Sequence, residues 1–198
     1  MLSVTGTFAL TEEGEEIQFP FEGACRRTIR WRATMTGSFR SERPAAISLR
    51  RLVPQATGVV ALVGEARRSG EFVDSYEPPC IQAERRFDTT GCEGPWPLRV
   101  PSRSLLIGFS PTLTLLGSAS HWNDRDCFFF GVPGAEHLLL PRMSSSLTVQ
   151  RALARKSVVA RSSARTVESL GPRFPDATGG ATKTTIVSWQ VRLVRRPS

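Results

Sequence analysis

The strongest constraint on this chain is a period of two near its end. Thr185, Val187, Trp189, Val191 and Leu193 alternate with Ile186, Ser188, Gln190, Arg192 and Val194. Successive side chains of a strand point to opposite faces, so this stretch predicts an apolar face turned inward and a mixed face turned outward. The pattern recurs where Ile29, Trp31, Ala33 and Met35 alternate with Thr28, Arg30, Arg32, Thr34 and Thr36. Each inward set carries a Trp, and the expectation is that Trp31 and Trp189 enter one core.

Further strands are predicted at regular spacing. Residues 3–10 and 17–21 flank the Glu-rich segment 11–16 around Gly14 and read as a hairpin. Residues 59–66 and 71–76 read as a second hairpin about 67–70. Segments 81–87, 104–109, 112–116, 127–130, 137–140 and 158–167 complete the set, and 170–181 is expected to be an exposed loop. Pro95, Pro97 and Pro101 make 93–103 an irregular loop around Trp96. Ser145 or Ser146 is the expected cap of one short helix within 145–156, with a strand as the competing reading. Short strands broken by Gly or Pro predict an all-β protein, an antiparallel β-sandwich or barrel-like sandwich with at most one short helix. A single domain over 1–198 accommodates them.

The four cysteines, Cys25, Cys80, Cys92 and Cys127, form no C-x-x-C and match no zinc spacing with the two histidines. Four cysteines allow three pairings. The favoured one is Cys80–Cys92, closing a short loop, with Cys25–Cys127 as the second bridge. Disulfides persist in oxidising compartments, so the expected location is extracytoplasmic, secreted or cell-envelope. The start Met1-Leu2-Ser3-Val4-Thr5-Gly6 lacks the basic and apolar regions of a signal peptide, so the reading is of a mature or trimmed form. The alternative is a cytoplasmic protein with four buried thiols.

The formal net charge is +8, and only Lys156 and Lys183 are lysines. Arginine in place of lysine, with a single Asn, fits a composition set by GC-rich coding. The charge is uneven. No Lys or Arg precedes Arg26, and from Arg151 onward the acids are Glu168 and Asp176 alone. Such a basic C-terminal third, including Arg192 and Arg195, suits an anionic polymer of the envelope, a nucleic acid or an anionic membrane surface. The arginine–aromatic interleaving of a single-strand binder is sparse.

The nucleophile elbow, the H-E-x-x-H helix and both phosphate-binding glycine motifs are absent. A hydrolase would rely on His121 or His137. His121 begins the polar run His121-Trp122-Asn123-Asp124-Arg125-Asp126-Cys127, where Asp124 or Asp126 is placed to orient the imidazole. The competing reading is a surface loop between strands. An EF-type calcium loop needs regularly spaced acids, a central Gly and a distal Glu, all lacking here, so neither metal nor cofactor is expected. Glu12, Glu13, Glu15 and Glu16 read as a solvated hairpin tip. Trp96 and Trp122, in loop contexts, are the aromatic candidates for a binding surface. The leading expectation is a non-catalytic exported domain that binds a macromolecule, such as a protein, glycan or anionic polymer of the cell envelope. The alternatives are a hydrolase using His121 and an anionic-polymer binder using the C-terminal third.

Overall fold

Alternating side chains carry the longest strands straight through the positions where the sequence predicts turns. The computed structural model describes residues 1–19, 25–44, 57–59, 62–78, 80, 82–88, 96–100, 105–109, 112–121, 137–173 and 176–194. β1 (Leu2–Gln18) is one continuous strand rather than a hairpin folded at Gly14. Leu2, Val4, Phe8, Leu10, Glu12 and Glu16 are buried on one side, with Gly14 in the same series. Glu13 and Glu15 point the other way, opposite Arg32 and Arg30 of β2 (Arg26–Ser41). The four glutamates are thus divided between two faces, and the repulsion of an acidic turn does not arise. Gly14 is there for space: a Cβ would collide with the Trp31 indole lying across it.

The second predicted hairpin is corrected in the same way. β4 (Leu62–Glu77) runs unbroken through 67–70, where the Ser69 and Thr34 hydroxyls share a hydrogen bond of 2.6 Å across the ladder. The remaining elements are β3 (Thr57–Val59), β5 (Ala83–Asp88), β6 (Trp96–Val100), β7 (Leu105–Phe109), β8 (Thr112–His121), β9 (His137–Thr148), α1 (Val149–Leu153), β10 (Ser157–Leu170) and β11 (Thr178–Val194). The segment expected as a proline-rich loop therefore contains β6. Pro95 and Pro101 fall outside it, and only Pro97 lies within.

The described pairings are all antiparallel and follow the path β10–β11–β1–β2–β4–β6–β8–β7–β3, with β5 on β4 and β9 on β8. β4 serves two neighbours on one edge, β6 along residues 62–66 and β5 along 71–76. β9 then comes back beside β10, where Ser162 Oγ donates to the Ser144 carbonyl at 2.8 Å. Leu147 and Ala152 join Ala160 in one core cluster there. The sheet thus turns back on itself, giving an all-β, barrel-like sandwich. The single described helix, α1, is capped by Thr148, whose hydroxyl accepts from the Arg151 N–H at 3.3 Å. Ser145 and Ser146 still belong to β9, so neither is the cap.

Both Trp-bearing strands bury the predicted sets: Val187, Trp189, Val191 and Leu193 on β11, and Ile29, Trp31, Ala33 and Met35 on β2. The two Trp side chains share a face of the sheet but not a cluster. Trp189 packs with Phe8, Phe39 and Val187, whereas Trp31 packs with Ile29, Phe72 and Ala181. A polar layer lies between, where Glu12 stands in register with Lys183 on one side and Ala33 on the other.

Cys25 is bonded to Cys80, with Cα atoms 5.5 Å apart. This overturns both predicted bridges, Cys80–Cys92 and Cys25–Cys127. β2 and β4 pair from Arg26↔Glu77 to Ser41↔Leu62, which brings the residue before β2 to the segment after β4. Spatial pairing of strands, not shortness of the intervening loop, chose the partner. Cys92 and Cys127 lie outside the described residues.

Candidate functional site

The two ends of the long strands differ in what they bury. Toward the β1 N-terminus the interior is apolar, and toward its C-terminus buried ions join the smaller apolar cluster around Trp31. Glu12 and Glu16 are 1% and 0% exposed, and buried carboxylates of this kind require partners. The connection between β10 and β11 supplies them. Arg173 pairs with the Glu12 carboxylate, its backbone N–H donates to Glu16 Oε1 at 2.7 Å, and its guanidinium lies 4.9 Å from the Trp31 ring centroid. Trp31 Nε1 in turn donates to Glu12 Oε1 at 3.0 Å. Burial pushes the Arg173 pKa down to about 10, still well above neutrality, so the guanidinium remains a cation beside its carboxylate.

The chain returns from this contact through Asp176, at φ 59°, and Gly179, at φ 107°. Gly179 sits against the Glu15 carbonyl, where a side chain would not fit. At the rim, Arg27 makes a bidentate pair with Asp74, Nε to Oδ1 and Nη2 to Oδ2 both at 2.8 Å. Its third contact is Nη1 to Gln18 Oε1 at 3.0 Å. Donation to the Asp74 carboxylate is the main reason the Arg27 pKa lies above its ordinary value. Glu12 and Asp74 are thus each paired with an arginine, and Glu16 accepts from a backbone N–H, an arrangement that ties strands and loop together.

The outer face divides into two zones along the same strands. Over the ionic end, the charges cancel in cross-strand pairs: Arg30 with Glu15 at 2.6 Å and Arg32 with Glu13 at 2.9 Å. Over the apolar end, they do not. One row across the sheet runs Arg161, Gln190, Thr5, Arg40; the next Ser163, Ser188, Thr7, Ser38, Glu65; the third Arg165, Ile186, Ala9, Thr36, Arg67. Arg192 flanks them, opposite Ser3 and Val159. Arg40, Arg67, Arg161, Arg165 and Arg192 are all exposed, and none is in an ion pair among the described residues. The Arg161 Nε–H donates to Gln190 Oε1 at 2.9 Å, which orients it along the sheet. A shallow depression opens here over Gly6, lined by Thr5, Thr7, Arg161, Ser163 and Ser188.

Of the residues singled out from the sequence, the described ones fall in two places: Arg192 on β11, and the backbones of His121, His137 and Trp96 where β6, β8 and β9 meet. Arg192 is on the cationic face. His121 ends β8, with its backbone opposite Leu98, and His137 begins β9 opposite Ser120. Trp96 starts β6 opposite Ala66 instead of standing in a loop. Trp122, Asp124, Asp126 and Arg195 lie outside the described residues. Sequence reasoning missed Arg173, hidden in a Gly- and Pro-rich connection. It also missed the inward direction of Glu12 and Glu16, although the even-numbered series from Leu2 carries that signal. No family model matches the chain, and neither the curated proteins nor the solved structures contain a match.

Proposed function

We propose that the chain is a non-catalytic, extracytoplasmic binding domain whose outer β10–β11–β1–β2–β4 face takes an anionic macromolecule. The observation that carries this reading is the charge imbalance over the apolar end of that face, where five exposed arginines without an ion pair among the described residues stand against Glu65 in the rows given above. The surrounding Ser and Thr hydroxyls add hydrogen-bond donors without adding charge. Attraction of this kind draws an anionic surface from a distance and weakens with salt. The Cys25–Cys80 bridge supports the compartment. Among the described residues no helix is long and apolar enough to cross a membrane.

The test is binding of dextran sulfate, a sequence-free polyanion, across a salt series. Affinity falls steeply with salt, and the triple variant Arg161→Ala, Arg165→Ala, Arg192→Ala loses most of it. Arg32→Ala, which removes an arginine already neutralised by Glu13, changes affinity by less than about twofold. Equal losses in the two variants, or binding indifferent to salt, would sink the reading.

A further inference from the structure

The outer face holds more than charge. Among the described residues, Val159, Val167, Ile186 and Val194 are 42%, 57%, 45% and 40% exposed, and the other large exposed hydrophobics are Phe19 and Phe87. All four of the aliphatic ones sit on the outer face of β10 and β11. Val159 pairs with Arg192 and Val194 with Ser157, so Val159 and Val194 are diagonal neighbours beside an arginine. Ile186 pairs with Arg165 and Val167 with Thr184, so Ile186 and Val167 repeat the arrangement. Diagonal positions on one face lie roughly 7–8 Å apart. Two branched apolar pairs, each next to an arginine, thus recur along a stretch of about 27 Å.

From this arrangement we infer that the anionic partner of the face is a lipid bilayer surface carrying anionic headgroups. The inference rests on the cationic-face reading and narrows it. A soluble polyanion would use the arginines and leave the four aliphatic side chains in water. A bilayer interface uses both, because the arginines meet phosphates while the aliphatic tips enter the headgroup–acyl boundary. The face carries no aromatic ring on β1, β2, β10 or β11, so it offers no stacking platform for exposed bases. A single-stranded nucleic acid would therefore gain little beyond its phosphates.

The experiment compares three probes with the folded full chain: vesicles mixing phosphatidylglycerol with phosphatidylcholine, vesicles of phosphatidylcholine alone, and dextran sulfate. The double variant Val167→Ser, Ile186→Ser changes exposed positions only, and an unchanged melting temperature verifies its fold. Native protein is expected to bind the mixed vesicles and not the neutral ones. The double variant is expected to bind mixed vesicles about tenfold more weakly while keeping its dextran sulfate affinity. Arg165→Ala is expected to lower both. Dextran sulfate binding without vesicle binding, or equal vesicle binding by native and double-variant protein, overturns the lipid assignment and leaves the cationic face standing. Failure to bind any probe overturns both.

Discussion

Arg173 stacks on Trp31 with its guanidinium carbon 4.9 Å from the ring centroid, while both side chains address the same Glu12 carboxylate. A residue from a loop and a residue from the middle of β2 are thereby tied to a third on β1. The three form one unit, and each is costly to remove because the others are left buried.

Arg173→Ala strands the Glu12 carboxylate, 1% exposed, with the Trp31 N–H as its remaining described donor. Breaking a buried pair from one side costs about 3–5 kcal/mol. Arg173→Lys keeps the charge but loses the planar stack, and falls between native and alanine. Chemical denaturation of the three proteins orders their midpoints accordingly. A midpoint for Arg173→Ala equal to native would mean that the contact holds the loop and nothing else.

Gly14→Ala tests why a glycine occupies the middle of a long strand. A Cβ there meets the Trp31 indole, so the ring must move off Glu12 or the strands must part, at about 1–3 kcal/mol. Gly171→Ala, with nothing within 4 Å of the added carbon, changes stability by less than about 0.5 kcal/mol. Thermal unfolding of the pair separates steric crowding from the general loss of glycine flexibility, which both substitutions share.

The two buried indoles make an opposed pair. Trp31 Nε1 donates to Glu12, whereas Trp189 Nε1 is buried with no partner among the described residues. Trp31→Phe removes a hydrogen bond to a charged acceptor and destabilises by about 1.5–3 kcal/mol. Trp189→Phe deletes an N–H that is already unsatisfied, so the loss of ring volume is offset and the change is under about 1.5 kcal/mol. Denaturation midpoints distinguish them, and a larger loss at Trp189 would reverse the assignment.

The extent to which the sequence shows this fold follows from what alternation can and cannot encode. The inward sets around Trp31 and Trp189 are legible because every second residue is apolar. At 12–16 the same alternation continues in glutamates, and the inward ones look like a solvated tip until their partner is known. That partner, Arg173, is 161 positions from Glu12 by the numbering of the chain, in a segment with no period at all. The cationic face is half visible: Arg192 stands out in a basic C-terminal third, but Arg40 and Arg67 join it only through strand register. Disulfide partners are equally a matter of register, since Cys25 and Cys80 flank the paired ends of β2 and β4.

The Cys25–Cys80 bridge gives the last prediction. It spans 55 positions, and a cross-link closing a loop of that size restricts the unfolded chain by about 4 kcal/mol in the chain-entropy picture. The folded state has other ties at the same place, the Arg26↔Glu77 register and the bidentate Arg27–Asp74 pair. Reduction, or Cys25→Ser with Cys80→Ser, is therefore expected to leave the strand pairing intact while lowering the unfolding midpoint. Native and double-variant proteins should show the same far-ultraviolet spectrum and a denaturation difference near that magnitude. Proteolysis without reductant should yield one peptide pair joined through Cys25 and Cys80. Recovery of Cys80 joined to Cys92 instead would overturn the Cys25–Cys80 bridge.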